Sequence, residues 1–440
     1  MRRYVCCPAK AIPKPKEPGI DYISLYESGA KTGADVGDVA LSLRQDIRRC
    51  RITPSVEAWD FCTIAMAVAA VDESAPRAES ADGWTRILQV EIRLYEPLVW
   101  QSQVDALQDT LRFLTGDFWR ITLTDGGAPP PSSTKAKVLD ADCVSLLSGG
   151  VDSLVGAIDV CKAGKRPVLV SKLVRGDKEF QNEVAGRLVN EDCHIQWRFN
   201  SRSPTGSENS TRGRSLIFFA YAVIAASSIH AGGKDGRPIS IYVPENGFIS
   251  LNLPLTPLRM GTLSTKTTHP VYLRGIQKIW DAVGINAVLE IPFDYRFRTK
   301  GEMLDRCLDK DLLRELIGRS TSCGRYGVYN RTHCGRCVPC LVRRGAFLKA
   351  DIPDSTEVST YKDRVGQYVF EDLALAANEE SANDIRAAGR ACLHVAEQGI
   401  DSFVGAGLSF CSSDERAKYV GVVERGIEEL RMLLKKYGVL

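Results

Sequence analysis

The chain has 440 residues, of which 44% are hydrophobic and 25% charged, and a formal net charge of +3. This is the composition of a globular protein of two or three domains, and so small a charge gives no electrostatic case for a nucleic-acid scaffold. No apolar run approaches the roughly 18 residues that cross a bilayer, and the start, Met1-Arg2-Arg3-Tyr4-Val5-Cys6-Cys7-Pro8, lacks the apolar core of a signal peptide, so a cytoplasmic protein without membrane contact is expected.

Residues 1–130 form a first region. Its opening, through Lys14-Pro15-Lys16-Glu17-Pro18, reads as irregular. A helix is expected over 55–70, with Ser55 or Thr53 as its cap and Pro54 at an early position. Residues 87–94 and 119–123 read as strands, and 104–114 as a helix between them. The sum is a small α+β accessory domain without a catalytic signature, expected to dock a partner. The Gly/Pro/Ser cluster at 126–134 cannot hold a helix or a central strand and marks a boundary.

Residues 138–350 alternate short apolar runs with helical patterns. Strands are expected at 143–147, 167–171, 239–243 and 288–292, with an Ala-rich apolar helix over 216–230. Strands separated by helices imply an α/β domain, a parallel sheet covered on both faces. Ligands of such sheets sit beyond the carboxyl ends of the strands, which directs attention to the loops after residues 147, 174 and 243. The remainder, 351–440, is a helical C-terminal extension, and 424–436 is an amphipathic packing or partner helix.

Ser148-Gly149-Gly150-Val151-Asp152-Ser153 lies between the first of these strands and its helix. A strand that turns into a helix through glycines aims several backbone N–H groups at one spot, and the helix N-terminus adds partial positive charge there. Phosphate is the natural guest. The glycines remove Cβ atoms that would block it, and Ser148 and Ser153 add hydroxyl donors. Asp152 would repel phosphate unless a cation lies between, so it reads as a Mg²⁺ contact or a helix cap. The Gly-Lys-Ser/Thr ending of a Walker loop is missing.

Fourteen cysteines are many for a reducing compartment, where they serve as metal ligands, core residues or catalytic thiols in preference to disulfides. Four of them, Cys323, Cys334, Cys337 and Cys340, fall in one turn-rich stretch with Gly324, Gly327, Gly335 and Pro339. Four thiolates at this spacing suit tetrahedral Zn²⁺ in a closed, structural site. An iron–sulfur run has similar spacing, and His333 is an alternative to one thiolate.

The hexapeptide resembles the pyrophosphatase loop (PP-loop) of N-type ATP pyrophosphatases. Followed by the four cysteines and by Arg343 and Ala346-Phe347, it resembles the QueC family of 7-cyano-7-deazaguanine synthases over 138–350. The resemblance implies an adenine nucleotide alpha-hydrolase-like fold. It also implies adenylation of 7-carboxy-7-deazaguanine by ATP with release of pyrophosphate, then amide formation. Residues 148–153 would hold ATP, and the four cysteines zinc. Arg214, in Arg212-Gly213-Arg214-Ser215, looks like the family's arginine at a helix start, and Lys300-Gly301-Glu302-Met303 like its lysine-led helix. Two family segments are replaced, by Val174-Arg175-Gly176-Asp177 and by Pro244-Glu245-Asn246-Gly247-Phe248, with Leu253-Pro254-Leu255-Thr256-Pro257 after the latter. The ATP half is intact and the acceptor half rebuilt.

Asp152, Arg214 and Glu245 are therefore the catalytic candidates, and Arg175, Glu245, Asn246 and His269 the substrate candidates. Arg214 or Arg175 would face the charge at the α-phosphorus. Glu245 or His269 would take the amine proton or read the guanine edge. The long form resembles the QueC-like proteins of bacterial anti-phage operons, which implies a partner protein's amine as acceptor. Free nitrile synthesis from ammonia, a tRNA-modifying enzyme and a non-catalytic nucleotide-binding subunit are the alternatives.

Overall fold

The computed structural model describes residues 2–31, 33–209, 212–229, 237–256, 266–329, 331–356, 359–361, 364–365 and 383–440. His230 of the expected 216–230 helix, Pro257, and residues 362–363 and 366–382 of the expected helical tail lie outside them.

Eleven strands build two sheets. They are β1 Arg3–Cys7, β2 Ile20–Leu25, β3 Gly37–Val39, β4 Ile87–Arg93, β5 Phe118–Thr124, β6 Cys143–Leu146, β7 Pro167–Leu173, β8 His194–Arg198, β9 Ser201–Arg202, β10 Ile239–Tyr242 and β11 Ala287–Glu290. The front sheet has the order β5-β4-β1-β2-β3-β9, and the central sheet β11-β10-β6-β7-β8. Every pair in the central sheet is parallel. In the front sheet only the β3–β9 pair is antiparallel.

The first region is thus α/β, which corrects the α+β expectation. The supposedly irregular opening supplies β1, β2 follows directly after it, and β4 returns parallel to β5 through the helix Val104–Thr115. Parallel neighbours need such crossovers, so the helix between two predicted strands was itself the sign of a parallel pair.

The helix Val56–Ser74 explains how the two sheets meet. Every residue from Ala58 to Asp72 is buried. A helix with no polar face must be covered all round. The front sheet covers one side, through β2, β3 and β4, and the helix Arg214–Ala226 the other. Val104–Thr115 packs likewise on Pro270–Val283. One hydrophobic core therefore runs from Tyr4 through Trp59, Phe61 and Tyr221 to Trp280. In β7, Val168 and Val170 face this core, while Leu169 faces a second one against the helices Val151–Lys162 and Lys178–Leu188.

A buried ionic network closes the seam. Arg77 meets both oxygens of Asp117 at 2.8 and 2.9 Å, and Arg86 bridges Asp117 and Asp72. Asp72 also accepts from the backbone N–H groups of Arg212 and Gly213, both at 2.7 Å. The expected helical tail is present as Asn383–Gln398 and Ser413–Lys436, packed on Val338–Lys349. Among the described residues no helix is long and apolar enough to cross a membrane.

Candidate active site and metal centre

The strand order of the central sheet reverses at β6: β7 and β8 follow on one side, β10 and β11 on the other. Ligands of open parallel sheets bind at such a switch point. The segments after β6 and β10 meet there around a cleft of about 210 Å³, lined by Ser148, Gly150, Asp152, Ser153, Glu245, Lys300 and Ser322 among others.

The loop after β6 is held open by its own serines. Ser148 N donates to Ser153 Oγ at 3.2 Å, the two hydroxyls lie 3.0 Å apart, and Gly150 N donates to Ser148 Oγ at 3.3 Å. Gly149 has φ +94°, a left-handed conformation that favours glycine. Gly150 is the N-cap of Val151–Lys162, so no side chain caps the first-turn N–H groups. They remain aimed at the cleft as an anion site. Gly156, one turn on, lets the segment after β10 approach: a Cβ there would stand 2.3 Å from Pro244 Cβ and Cγ.

The carboxylates are arranged around one cation. Lys300 Nζ contacts Asp152 Oδ2, with both side chains nearly buried. Asn246 Nδ2 lies 3.3 Å from both oxygens of Asp152 and 3.4 Å from Glu245 Oε1. Burial and the neighbouring Asp152 push the Glu245 carboxyl well above the usual range, with Lys300 opposing. Lys300 thus sets a cationic group against Asp152 at the cleft wall.

The site residues read from the sequence divide on this geometry. Ser148, Gly150 to Ser153 and Glu245 line the cleft, and Asn246 is buried behind Asp152 and Glu245. Asp152 does not cap the helix, and its Oδ2 is paired with Lys300. Asn246 is primarily a scaffold: its Oδ1 caps the Gly247–Leu251 helix through Ile249 N.

Three candidates stand elsewhere. Arg214 is more than half exposed at the start of its helix and pairs with Glu73 Oε1 at 3.5 Å. It lies near Lys172, whose ammonium is pushed down to about 8 by burial and by Arg214. Arg175 is exposed on the loop after β7. His269 is buried between Phe113 and Phe410, and its Nδ1 accepts from Val271 N to cap Pro270–Val283. Burial, Lys266 and Arg274 push its imidazole down to about 4. A neutral, capped histidine of this kind holds a helix start and is not placed to take a proton in the cleft.

Lys300 is the site residue that sequence reasoning left without a role. Thr299 and Glu302 form a capping box around it, which starts the Lys300–Asp305 helix at the cleft wall. The Thr-x-x-Glu spacing was the available signal. A larger groove of about 1050 Å³ lies beside β8, lined by Arg49, His194 and Arg198 among others, and holds none of the expected residues.

The sulfurs of Cys323, Cys334, Cys337 and Cys340 all lie within 4.8 Å of one another and all four residues are buried. The Cys323–Cys337 and Cys334–Cys340 sulfurs are each 3.9 Å apart. A tetrahedral ion with Zn–S bonds of about 2.3 Å needs edges of about 3.8 Å, so the four fit a zinc ion. Backbone N–H groups of Arg325, Cys334 and Cys337 lie 3.3–3.4 Å from the sulfurs. These donors stabilise thiolate charge and orient the ligands. His333 is not a ligand; its Nε2 accepts from Ser322 N at 3.1 Å.

The centre reaches the cleft through its first residues. Thr321 N donates to Gly149 O at 2.8 Å, and Thr321 Oγ1 to Asp177 Oδ1 at 2.8 Å. Arg343, almost fully buried, donates to Ile317 O and to Ser320, and its Nη1 reaches Ser322 Oγ at 3.3 Å. The knuckle thus presses its leading strand onto the glycine loop. No family model matches the chain and no curated protein is found similar to it, so the likeness to the QueC family rests on its motifs.

Proposed function

We propose that the chain is an ATP-dependent carbon–nitrogen ligase of the QueC type, which adenylates the carboxylate of a 7-carboxy-7-deazaguanine-type acid. The observation that carries this reading is the meeting of Asp152, Lys300 and Glu245 beside a glycine–serine loop at the switch point. A substrate carboxylate oxygen attacks the α-phosphorus of ATP, the bond to the bridging oxygen breaks, and pyrophosphate leaves. The first-turn N–H groups, both serine hydroxyls and Lys300 hold the phosphates and the leaving charge. Asp152 keeps Lys300 in place between turnovers. Mg²⁺ bound with the nucleotide would neutralise phosphate charge, and Asp152 is the cleft carboxylate that would hold it.

An amine nitrogen then attacks the acyl carbon, AMP leaves, and the amine gives up a proton to solvent. Glu245, on the cleft wall, reads the deazaguanine edge through its carboxyl group. The acceptor is an amine of a partner protein in anti-phage defence, and the ion in the cysteine centre is structural zinc.

The test is pyrophosphate release from ATP with and without 7-carboxy-7-deazaguanine, followed by mass spectrometry of candidate acceptor proteins and of free products. Acid-dependent pyrophosphate and a protein mass gain are expected. Absence of acid-dependent release overturns the adenylation reading, and free nitrile without any protein mass gain assigns ammonia as the acceptor.

A further inference from the structure

The C-terminal helix Ser413–Lys436 is remote in sequence from the cleft, yet it touches two of the segments that build it. Its Glu429 is only 5% exposed, and its carboxylate flanks Lys300 on both sides. Thr299 Oγ1 donates to Oε1, and Gly301 N donates to Oε2 at 3.3 Å. The approach depends on glycine: a Cβ on Gly301 would stand 2.5 Å from Glu429 Oε1, and one on Gly345 would stand 2.9 Å from the Glu429 carbonyl oxygen. One turn earlier, Arg425 Nε meets Glu302 Oε1 at 2.7 Å, and its Nη2 donates to Phe297 O at 2.8 Å.

The same helix reaches the other wall. A Cβ on Gly426 would stand 2.4 Å from the ring of Phe248, and Val422 Cγ1 lies 3.3 Å from the Cβ position of Gly247. Gly247 and Phe248 follow Asn246, whose amide holds Asp152 and Glu245. One rigid element therefore packs against the segments that carry the lysine and the amide, both of which contact Asp152. A buried carboxylate is costly unless its oxygens are satisfied. Here each oxygen takes a donor from a residue adjacent to Lys300, which an apolar side chain of the same size could not do.

We propose that Glu429 is a positioning residue for Lys300, and that the C-terminal helix is a brace for the phosphate cleft. The inference rests on the reading of that cleft as a nucleotide site. It gives the extension a part in turnover with no contact to substrate: the carboxylate holds the backbone on either side of Lys300, so that its ammonium stays on the phosphate side of the cleft.

The test uses the full chain with Glu429→Gln and Glu429→Leu, the latter chosen to fill the volume and keep the helix packed. Binding of pyrophosphate alone and steady-state pyrophosphate release are measured. Glu429→Gln, which keeps an acceptor, is expected to stay within about threefold of wild type in both. Glu429→Leu is expected to lose about tenfold or more in kcat, with KM for the acid within about threefold, and to bind pyrophosphate at least about fivefold more weakly. A folded Glu429→Leu with wild-type kcat and pyrophosphate affinity overturns the positioning role alone. Equal losses in Glu429→Gln and Glu429→Leu also overturn it. A wild-type chain that binds no pyrophosphate removes the phosphate-cleft reading and the brace with it.

Discussion

Replacing Lys300 by methionine keeps the length of the side chain and removes its charge, which leaves Asp152 without its cation. Asp152 is 8% exposed, Glu245 stands beside it, and the amide of Asn246 lies 3.3 Å from its carboxylate. Removing one partner of a buried ion pair costs about 3–5 kcal/mol. Lys300→Met should therefore lose about 3–5 kcal/mol at pH 7. Lys300→Met/Asp152→Asn should recover most of it, because no charge is stranded. Urea unfolding followed by the buried Trp197 and Trp280 reads both variants. A loss under about 1 kcal/mol in the single variant, or a double variant less stable than the single one, refutes the closed ion pair.

Three further outcomes are expected. The purified chain should carry one zinc per molecule by elemental analysis, and Cys337→Ser should lose it together with most of the soluble yield, since structural zinc contributes on the order of 10 kcal/mol to folding. Gly156→Val should cost about 1–3 kcal/mol by overpacking against Pro244, and because Glu245 is the next residue, ATP affinity measured by calorimetry should fall with it. Burial pushes the Glu429 carboxyl up from 4.5 to about 7, with Thr299, Gly301 and Lys349 opposing and Glu302 adding to the rise. The folded chain therefore binds this proton more tightly than the unfolded one. Its contribution is complete below about pH 4.5 and is lost as pH rises through about 7, a change of about 3 kcal/mol. Glu429→Gln imitates the protonated form, so denaturation should find it equal to wild type at pH 4 and more stable at pH 8.

Residues with local demands were legible in the sequence. Gly149 and Gly150 report a turn that admits no side chain, and four cysteines at short spacing report a metal, whatever the rest of the chain does. The strands β6, β7, β10 and β11 were legible as apolar runs between helices. β8, His194–Arg198, was not, because only Ile195 and Trp197 of its five residues are apolar and buried. β1 and β2 were hidden by the prolines between them, and β9 is two residues long and exists only through its pairing with β3. At the site, the ion pair of Asp152 was not legible because Lys300 is 148 positions away in sequence. His269 was read as chemistry because the cap it forms and the two rings around it come from three separate segments. Such partners are set by tertiary packing, which no local pattern carries.

The helix Arg214–Ala226 buries eleven of its thirteen residues, because a second sheet's helix lies on the side that would otherwise meet solvent. That makes its composition a marker of the front sheet. Without that sheet the helix would need polar residues along one side, and with it the run from Leu216 to Ala226 is apolar throughout.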